Sequence, residues 1–173
     1  LESGDVDAVY DVPAADASRF KGRTDIAFHT PPASNSLFLI EIAPNRYEPL
    51  QDARVRRAIA MCLDKEAIQQ NVYFGEGDIQ WSSLPKSSWA YIEPEGPTYD
   101  PAAAKSLLAE AGYPNGFELD IETISGVAVM ENIATIWQAS LAEAGVKLNV
   151  NIRDLSTWLD SYVNRDYQTI ANW

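Results

Sequence analysis

The chain has 173 residues, of which 46% are hydrophobic, 10% aromatic and 22% charged, as in an ordinary globular domain. Its formal net charge is -12, and so acidic a surface repels phosphate backbones and anionic lipids, which argues against binding of nucleic acid or direct binding of membranes. Cys62 is the single cysteine, so no disulfide can form within the chain.

The first third of the chain predicts short elements separated by prolines. Residues 6–9 are apolar and predict a strand, residues 13–20 predict a brief helix, and residues 25–30 alternate in polarity as a strand does. Residues 37–42 form a near-continuous apolar run of strand length. Such a run is typical of a strand that is buried on both faces.

Two short helices are predicted next. Asp52 caps the first, and Asp64 caps the second, which Gly75 ends. Apolar residues at spacings of three and four predict a buried stripe on each: Val55, Ile59, Cys62 and Leu63 on the first, Ile68 and Val72 on the second. Residues 76–99 then form a long connection with four aromatic residues: Trp81, Trp89, Tyr91 and Tyr99. A loop of that length in a compact domain is usually functional or packed by its own side chains.

The second half alternates strands and helices. A helix capped by Asp100 precedes a strand at residues 117–122, a long helix that ends at Gly145, a strand at 146–153, a helix at 155–163 and a strand at 167–173. This order predicts an α/β fold with a mostly parallel sheet and flanking helices. Two of the strands alternate strictly in polarity, so we expect one sheet face to be open to water or covered by protein outside the chain.

Residues for catalysis or metal binding are scarce. His29 is the only histidine, no Gly-x-Ser-x-Gly turn presents a serine, and Cys62 lies on a predicted buried stripe. Zinc takes about four Cys or His ligands. Glu118, Asp120 and Glu122 share one strand face, which favours a solvated face over calcium binding because calcium takes six to eight oxygens, usually from a loop. The inventory predicts a binding protein with no catalytic residue, resident metal or cofactor.

Residues 52–68 closely resemble the D-x-R-V-R-x-A-[IL]-x-x-A-[IL]-D-[KR]-x-x-[IL] segment of the family 5 solute-binding proteins, the extracytoplasmic receptors of dipeptide, oligopeptide and nickel ABC importers. Residues 4–7, 99–113 and 115–119 match further segments of that family in the same order. The stretch from Asp166 to Trp173 resembles its G-D-[YF]…G-W segment, with Asn172 where glycine is usual.

The resemblance implies a lobe of the periplasmic-binding-protein type II kind, in a protein whose two lobes close around a solute. Residues 1–36 would be a hinge-proximal segment from the interlobe crossover, and residues 37–173 the second, C-terminal lobe, truncated at its C-terminal end. The implied protein is a periplasmic or extracytoplasmic, membrane-anchored receptor that delivers a peptide or similar small solute to the permease subunits. A sensory or chaperone-like peptide-binding module on the same fold is the alternative.

The resemblance also implies which residues meet the solute. Phe38 and Glu41 lie on the strand that faces the cleft in oligopeptide receptors, although Ala43 replaces the asparagine of the family's E-I-N. Trp173 matches a cleft tryptophan. Trp89 and Tyr91 match the family's W-G-Y loop with Ala90 in place of glycine, and because aromatic residues often anchor a fold, packing and ligand contact both remain open for them.

Overall fold

A computed structural model describes residues 1–10, 12–29 and 37–172, and these residues contain a four-stranded sheet. The strands are β1 (Leu39–Ile42), β2 (Glu118–Ile124), β3 (Lys147–Arg153) and β4 (Thr169–Asn172), in the order β1-β4-β2-β3. β2 runs parallel to both β3 and β4, whereas β1 is antiparallel to β4. The predicted α/β fold with a mostly parallel sheet is confirmed, with one antiparallel strand at its edge.

Six α-helices and two 3₁₀ turns accompany the sheet in the described residues. The helices are α1 (Ala14–Phe20), α2 (Ala53–Met61), α3 (Lys65–Asn71), α4 (Pro101–Glu110), α5 (Ala128–Glu143) and α6 (Leu155–Asn164), and the turns are Pro44–Arg46 and Glu48–Gln51. None of these helices combines the length and the apolar character that crossing a bilayer requires.

The helix starts are confirmed by hydrogen bonds from the backbone to the predicted caps. Asp52 accepts from the N–H of Arg54 at 2.7 Å. Asp64 accepts from the N–H of Ala67 and Asp100 from the N–H of Ala103, each at 2.8 Å. At each of these positions the carboxylate satisfies an N–H that the first helical turn leaves without a partner.

The core lies between the apolar sheet face and helices α2, α4 and α5. Val55, Ile59 and Cys62 are fully buried there, as predicted, whereas Leu63 is half-buried, and Leu141 of α5 is fully buried beside them. The indole N–H of Trp137 on α5 donates to the carbonyl oxygen of Ile59 at 3.1 Å, which ties α5 to α2. Burial raises the pKa of the Cys62 thiol to about 12, so this side chain acts as a small buried hydrophobe.

The opposite side of the sheet is the polar face, which α6 covers in part. Strand pairing places these side chains on it: Glu41, Glu118, Asp120, Glu122, Lys147, Asn149, Asn151, Arg153 and Asn172. At the amino end Glu118 and Lys147 are exposed and paired at 2.9 Å. At the carboxyl end Glu122 is only 7% exposed while Arg153 stays exposed, so the expected open face is found at the amino end and is closed in part by α6 at the carboxyl end.

Three strand predictions require correction. Residues 6–9 form no strand, and Val6 and Val9 are exposed, because none of the four strands in the described residues pairs with them. Residues 25–29 are not a strand either, and Thr30 lies outside the described residues. β1 is half-buried along its length instead of buried on both faces, because it lies at the edge of the sheet that the described residues form, beside β4.

Candidate functional site

The connections between strands single out one edge of the sheet. From β2 the chain passes through α5 to β3 on one side, and from β3 it returns through α6 to β4 on the other side. Ligands of open α/β sheets bind outside the carboxyl ends of the strands, at the point where the direction of winding reverses. Here that point lies between β2 and β4. The term carboxyl edge is used below for the carboxyl ends of β2, β3 and β4 together with the start of β1.

Glu41 is positioned close to the carboxyl edge by the pairing of β1 with β4. Its Oε1 accepts a hydrogen bond from Nδ2 of Asn172, the last residue of β4, at 2.8 Å. The hydroxyl groups of Tyr162 and Tyr167 lie 3.4 and 3.5 Å from its two oxygens. Its side chain is therefore directed toward the carboxyl edge, between the sheet and α6.

A tightly held ion pair lies beside it on the polar face. Nε and Nη2 of Arg153 donate to the two oxygens of Glu122 at 2.6 and 3.4 Å, and Asn151 donates to the same carboxylate at 3.1 Å. These bonds and the negative charge of Glu122 raise the pKa of Arg153, so the guanidinium stays charged. Arg153 ends β3, which brings this fixed cation to the carboxyl edge as well.

Phe38 immediately precedes β1 and lies at the same edge. Its ring is half-buried and packs against the main core and against a second cluster formed by Ile68, Val72 and Ile133. This side chain therefore connects α3 and α5 to the edge strand while part of its surface remains accessible.

The loop of residues 76–99 carries two predicted site residues, and no regular element occurs in it, as predicted. Trp89 is 98% exposed, so a role in packing within this chain is wrong for it. Tyr91 is partly buried, and its hydroxyl donates to Glu93 at 2.5 Å. The structure does not bring these two residues into hydrogen-bonding contact with Glu41, whose partners within the described residues are Asn172, Tyr162 and Tyr167.

Lys65 of α3 holds the first part of this loop, at Gln80 and Trp81, against the helix. Nζ of Lys65 lies 3.4 Å from the centroid of the Trp81 ring and donates to the carbonyl oxygen of Gln80 at 2.5 Å. Gly96 lies against the same ring, since a Cβ there would come within 1.9 Å of Trp81 Cδ1. The loop is therefore fixed at its ends, and its middle presents Trp89 to solvent.

Trp173, the remaining predicted site residue, lies outside the described residues. His29 is exposed, far along the chain from the strands that build the carboxyl edge. Within the described residues, no group of three or more His, Cys, Asp and Glu side chains could hold a metal ion.

The sequence analysis missed Tyr162, Tyr167 and Arg153 as residues of the site. Helical periodicity placed Tyr162 on α6 but could not show which sheet face α6 covers. A carboxylate in an otherwise apolar strand was the available signal that Glu41 needs polar partners, because a half-buried charge requires hydrogen bonds.

An open groove of about 600 Å³ lies elsewhere, between α5 and β3. It runs beside Lys147, Leu148 and Val150 at the amino end of β3, away from the carboxyl edge. Gln138 partly fills it, donating to the carbonyl oxygen of Leu148 at 2.6 Å. The shared position of Glu41, Arg153 and Phe38 makes the carboxyl edge the better candidate site.

Comparison with known proteins assigns residues 1–173 to the group described as bacterial extracellular solute-binding proteins, family 5 Middle. Heme-binding protein A of Haemophilus influenzae is 42% identical over 107 residues, which is 58% of this chain and 19% of that protein. The dipeptide-binding protein of Escherichia coli K12 is 29% identical over 161 residues, 90% of this chain and 30% of that protein. The chain thus spans less than a third of these curated relatives.

Among solved structures, HbpA2 from Haemophilus parasuis superposes with a TM-score of 0.82 at 28% identity, over 100% of this chain and 35% of that one. The sheet order and the placement of the helices therefore occur together in proteins of known structure, which confirms the expected lobe of the periplasmic-binding-protein type.

Proposed function

The chain belongs to the bacterial extracellular solute-binding proteins of family 5, and on that premise we propose that it is part of the substrate-binding component of an ABC importer. It would capture a peptide or similar small solute between two lobes and deliver it to the permease subunits, outside the cytoplasm and anchored to the membrane. The observation that carries the proposal is the family match over residues 1–173 together with a site that offers binding groups at the carboxyl edge.

The division into residues 1–36 as a hinge-proximal segment and 37–173 as the second lobe is part of the proposal. In its support, Ala17 is the only buried hydrophobic residue before β1 in the described part of the chain, whereas the core extends from Ala43 to Ala171. A segment with so few buried apolar residues has a low free energy of local opening, which suits a connection near a hinge.

The proposed solute-facing residues are Phe38, Glu41, Trp89, Tyr91 and Trp173. Phe38 and Glu41 belong to the carboxyl edge, and Trp89 extends from the clamped loop into solvent. So exposed an aromatic ring gains much from burial against something outside this chain. The second lobe or the bound solute would supply that surface.

The mechanism follows from the need to bury the solute. A single lobe leaves one side of the solute in water, and closure about a hinge encloses it. Because closure must be favoured by the solute, the solute binds the closed state more tightly than the open one, and the permease would recognise that state. The work is binding and not catalysis, in keeping with relatives named for what they bind.

A thermal-shift screen of the protein at its natural length tests this function. We expect a rise in Tm with di- or tripeptides, and a ligand at 100 times its Kd adds roughly 2.7 kcal/mol to the free energy of unfolding. Heme, oligosaccharides and nickel chelates test the other solute classes, and nucleotides are the negative control because the acidic surface repels phosphate. A cooperative melt that no solute class shifts would contradict the proposal and favour a sensory or chaperone-like role.

A further inference from the structure

The loop of residues 76–99 comes back on itself where Trp81 meets Gly96, a contact that we call the neck. A Cβ at Gly96 would lie 1.9 Å from Cδ1 and Nε1 of the Trp81 ring and 2.1 Å from its Cε2. The φ of Gly96 is not positive, so the glycine is required by its contact with the ring and not by the backbone conformation. The segment between the two residues is therefore an Ω-loop, a compact surface loop whose ends lie close together.

Lys65 joins the neck to a rigid part of the domain. Its Nζ lies 3.4 Å from the centroid of the Trp81 ring, whose face attracts cations, and donates to the carbonyl oxygen of Gln80 at 2.5 Å. Burial lowers the pKa of Lys65 to about 8, which leaves most of the ammonium charged at pH 7. Lys65 begins α3, and Ile68 of that helix lies in one buried cluster with Ile133 of α5. A single side chain thus fixes both the ring and the backbone beside it.

A series of turns leads from the neck to Trp89. Nε2 of Gln80 donates to the carbonyl oxygen of Leu84 at 3.2 Å. The N–H of Ser88 donates to the carbonyl oxygen three residues before it at 2.8 Å, and the N–H of Tyr91 donates to the carbonyl oxygen of Ser88 at 3.0 Å. Trp89 is a central residue of this last turn, and its ring is 98% exposed. Because each bond spans few residues, the loop itself sets the position of Trp89 relative to the neck.

A fixed neck lowers the cost of using Trp89 in binding. A loop that has to be ordered on association loses conformational entropy, whereas a loop already held in its binding conformation does not. If the loop is in that conformation for only part of the time, the apparent Kd rises by the reciprocal of that fraction. A residue that holds the neck therefore affects solute affinity through Trp89.

We propose that Lys65 is a positioning residue for solute binding, which holds Trp81 and the neck so that the loop presents Trp89 in one orientation. The inference rests on the proposed function, in which Trp89 is a solute-facing residue. It adds a role in affinity for a lysine that acts through another side chain.

Calorimetric titration of the protein at its natural length with the tripeptide Ala-Phe-Ala tests this role. Lys65→Met keeps the apolar stem but removes the charge and the donor, and we expect the Kd to rise about tenfold, because a cation–π contact and a charged hydrogen bond are both lost. Lys65→Arg retains a charge and donors, so it restores most of the affinity. Lys86→Met is the matched control, because it removes an exposed lysine from the same loop and leaves the Kd unchanged.

The same substitution in a Trp89→Ala background separates positioning from a general structural role. Trp89→Ala itself weakens binding, and Lys65→Met then has no further effect, because no ring is left to present. An equal fold-change from Lys65→Met with and without Trp89 overturns the inference, and so does a Lys65→Met protein with the wild-type Kd. Thermal melts establish that all variants are folded.

Fluorine NMR of the protein labelled with 5-fluorotryptophan reads the loop without a solute, after single substitutions by Phe have assigned the signals. We expect Lys65→Met to shift or broaden the signals of Trp81 and Trp89 but not that of Trp137, whose indole is bonded to Ile59 in the core. If the wild type does not bind Ala-Phe-Ala, the proposed peptide function fails, while these signals still decide whether Lys65 positions Trp89. A Trp89 signal that Lys65→Met leaves unchanged overturns the inference in either case.

Discussion

At the scale of single residues, two glycines determine how the strands begin. Gly116 precedes β2 and Gly145 precedes β3, with φ of +70° and +92°, which are conformations that side chains rarely adopt. A Cβ at residue 116 would lie 1.7 Å from the carbonyl oxygen of Gly145. The backbones touch here, and the first bond between the strands follows at once, from Lys147 N to Phe117 O at 3.0 Å.

Gly116→Ala therefore lowers the free energy of unfolding by about 2–4 kcal/mol, since it adds a steric clash with backbone to the strain of positive φ. Gly126→Ala is the control, because Gly126 has φ of +82° and open space around its Cα, so it costs only the conformational part of about 1–2 kcal/mol. Urea denaturation of both variants measures the difference. Equal losses in the free energy of unfolding would show that the steric clash at residue 116 adds nothing to the effect of positive φ.

At the scale of elements, the start of α6 governs the candidate site because α6 carries Tyr162. Asp154 caps this helix, and its Oδ1 accepts from the N–H groups of Ser156 and Thr157, each at 3.0 Å. The hydroxyl groups of the same two residues donate at 2.5 and 2.6 Å. Together these bonds lower the pKa of Asp154 well below that of an ordinary aspartate.

This lowered pKa predicts how the stability conferred by the cap depends on pH. The folded state favours the charged carboxylate, so the contribution is fully present above the unfolded pKa of about 3.9 and is lost as pH falls toward the lower folded value. Asp154→Asn should lower the urea midpoint at pH 7, and the difference from the wild type should shrink below about pH 4. Asp160→Asn on the same helix is the control. A difference that stays constant down to pH 2 would contradict the assignment.

At the scale of the whole molecule, the sheet presents a binding edge that has no opposite wall within the described residues. Arg153 ends β3 there, Glu41 is hydrogen-bonded to Asn172 at the end of β4, and Phe38 precedes β1 at the same edge. The exposed ring of Trp89 belongs to a separate loop that Lys65 and Trp81 hold in place. Such a surface can orient a solute but cannot remove it from water on every side.

The 173-residue chain alone should therefore bind its solute with a Kd of about 1 mM or weaker, because many contacts are missing while the entropic cost of association remains. Calorimetry on this chain and on the protein at its natural length, with the same peptide, measures the gap. Circular dichroism first establishes that the chain is folded. A micromolar Kd for the chain alone would mean that the carboxyl edge is a complete site.

The sequence by itself determined what depends on near neighbours along the chain. The caps Asp52, Asp64 and Asp100, the buried stripe through Val55 and Ile59, and the βαβαβ order of the second half are all confirmed. Each arises from hydrogen bonds or periodicity that span a few residues, so the information is contained in a short segment.

Only the tertiary structure decided which distant segments meet. Residues 6–9 have the composition of a strand but pair with no strand in the part of the chain that the structure describes, and β1 is half-buried because it lies at an edge. The contact of Glu41 with Asn172 joins residues 131 positions apart, and it exists because β1 pairs with β4 in one register. A shift of that register by one residue would turn Glu41 to the other face of the sheet. The candidate site is therefore a property of strand order and register, which local sequence patterns do not encode.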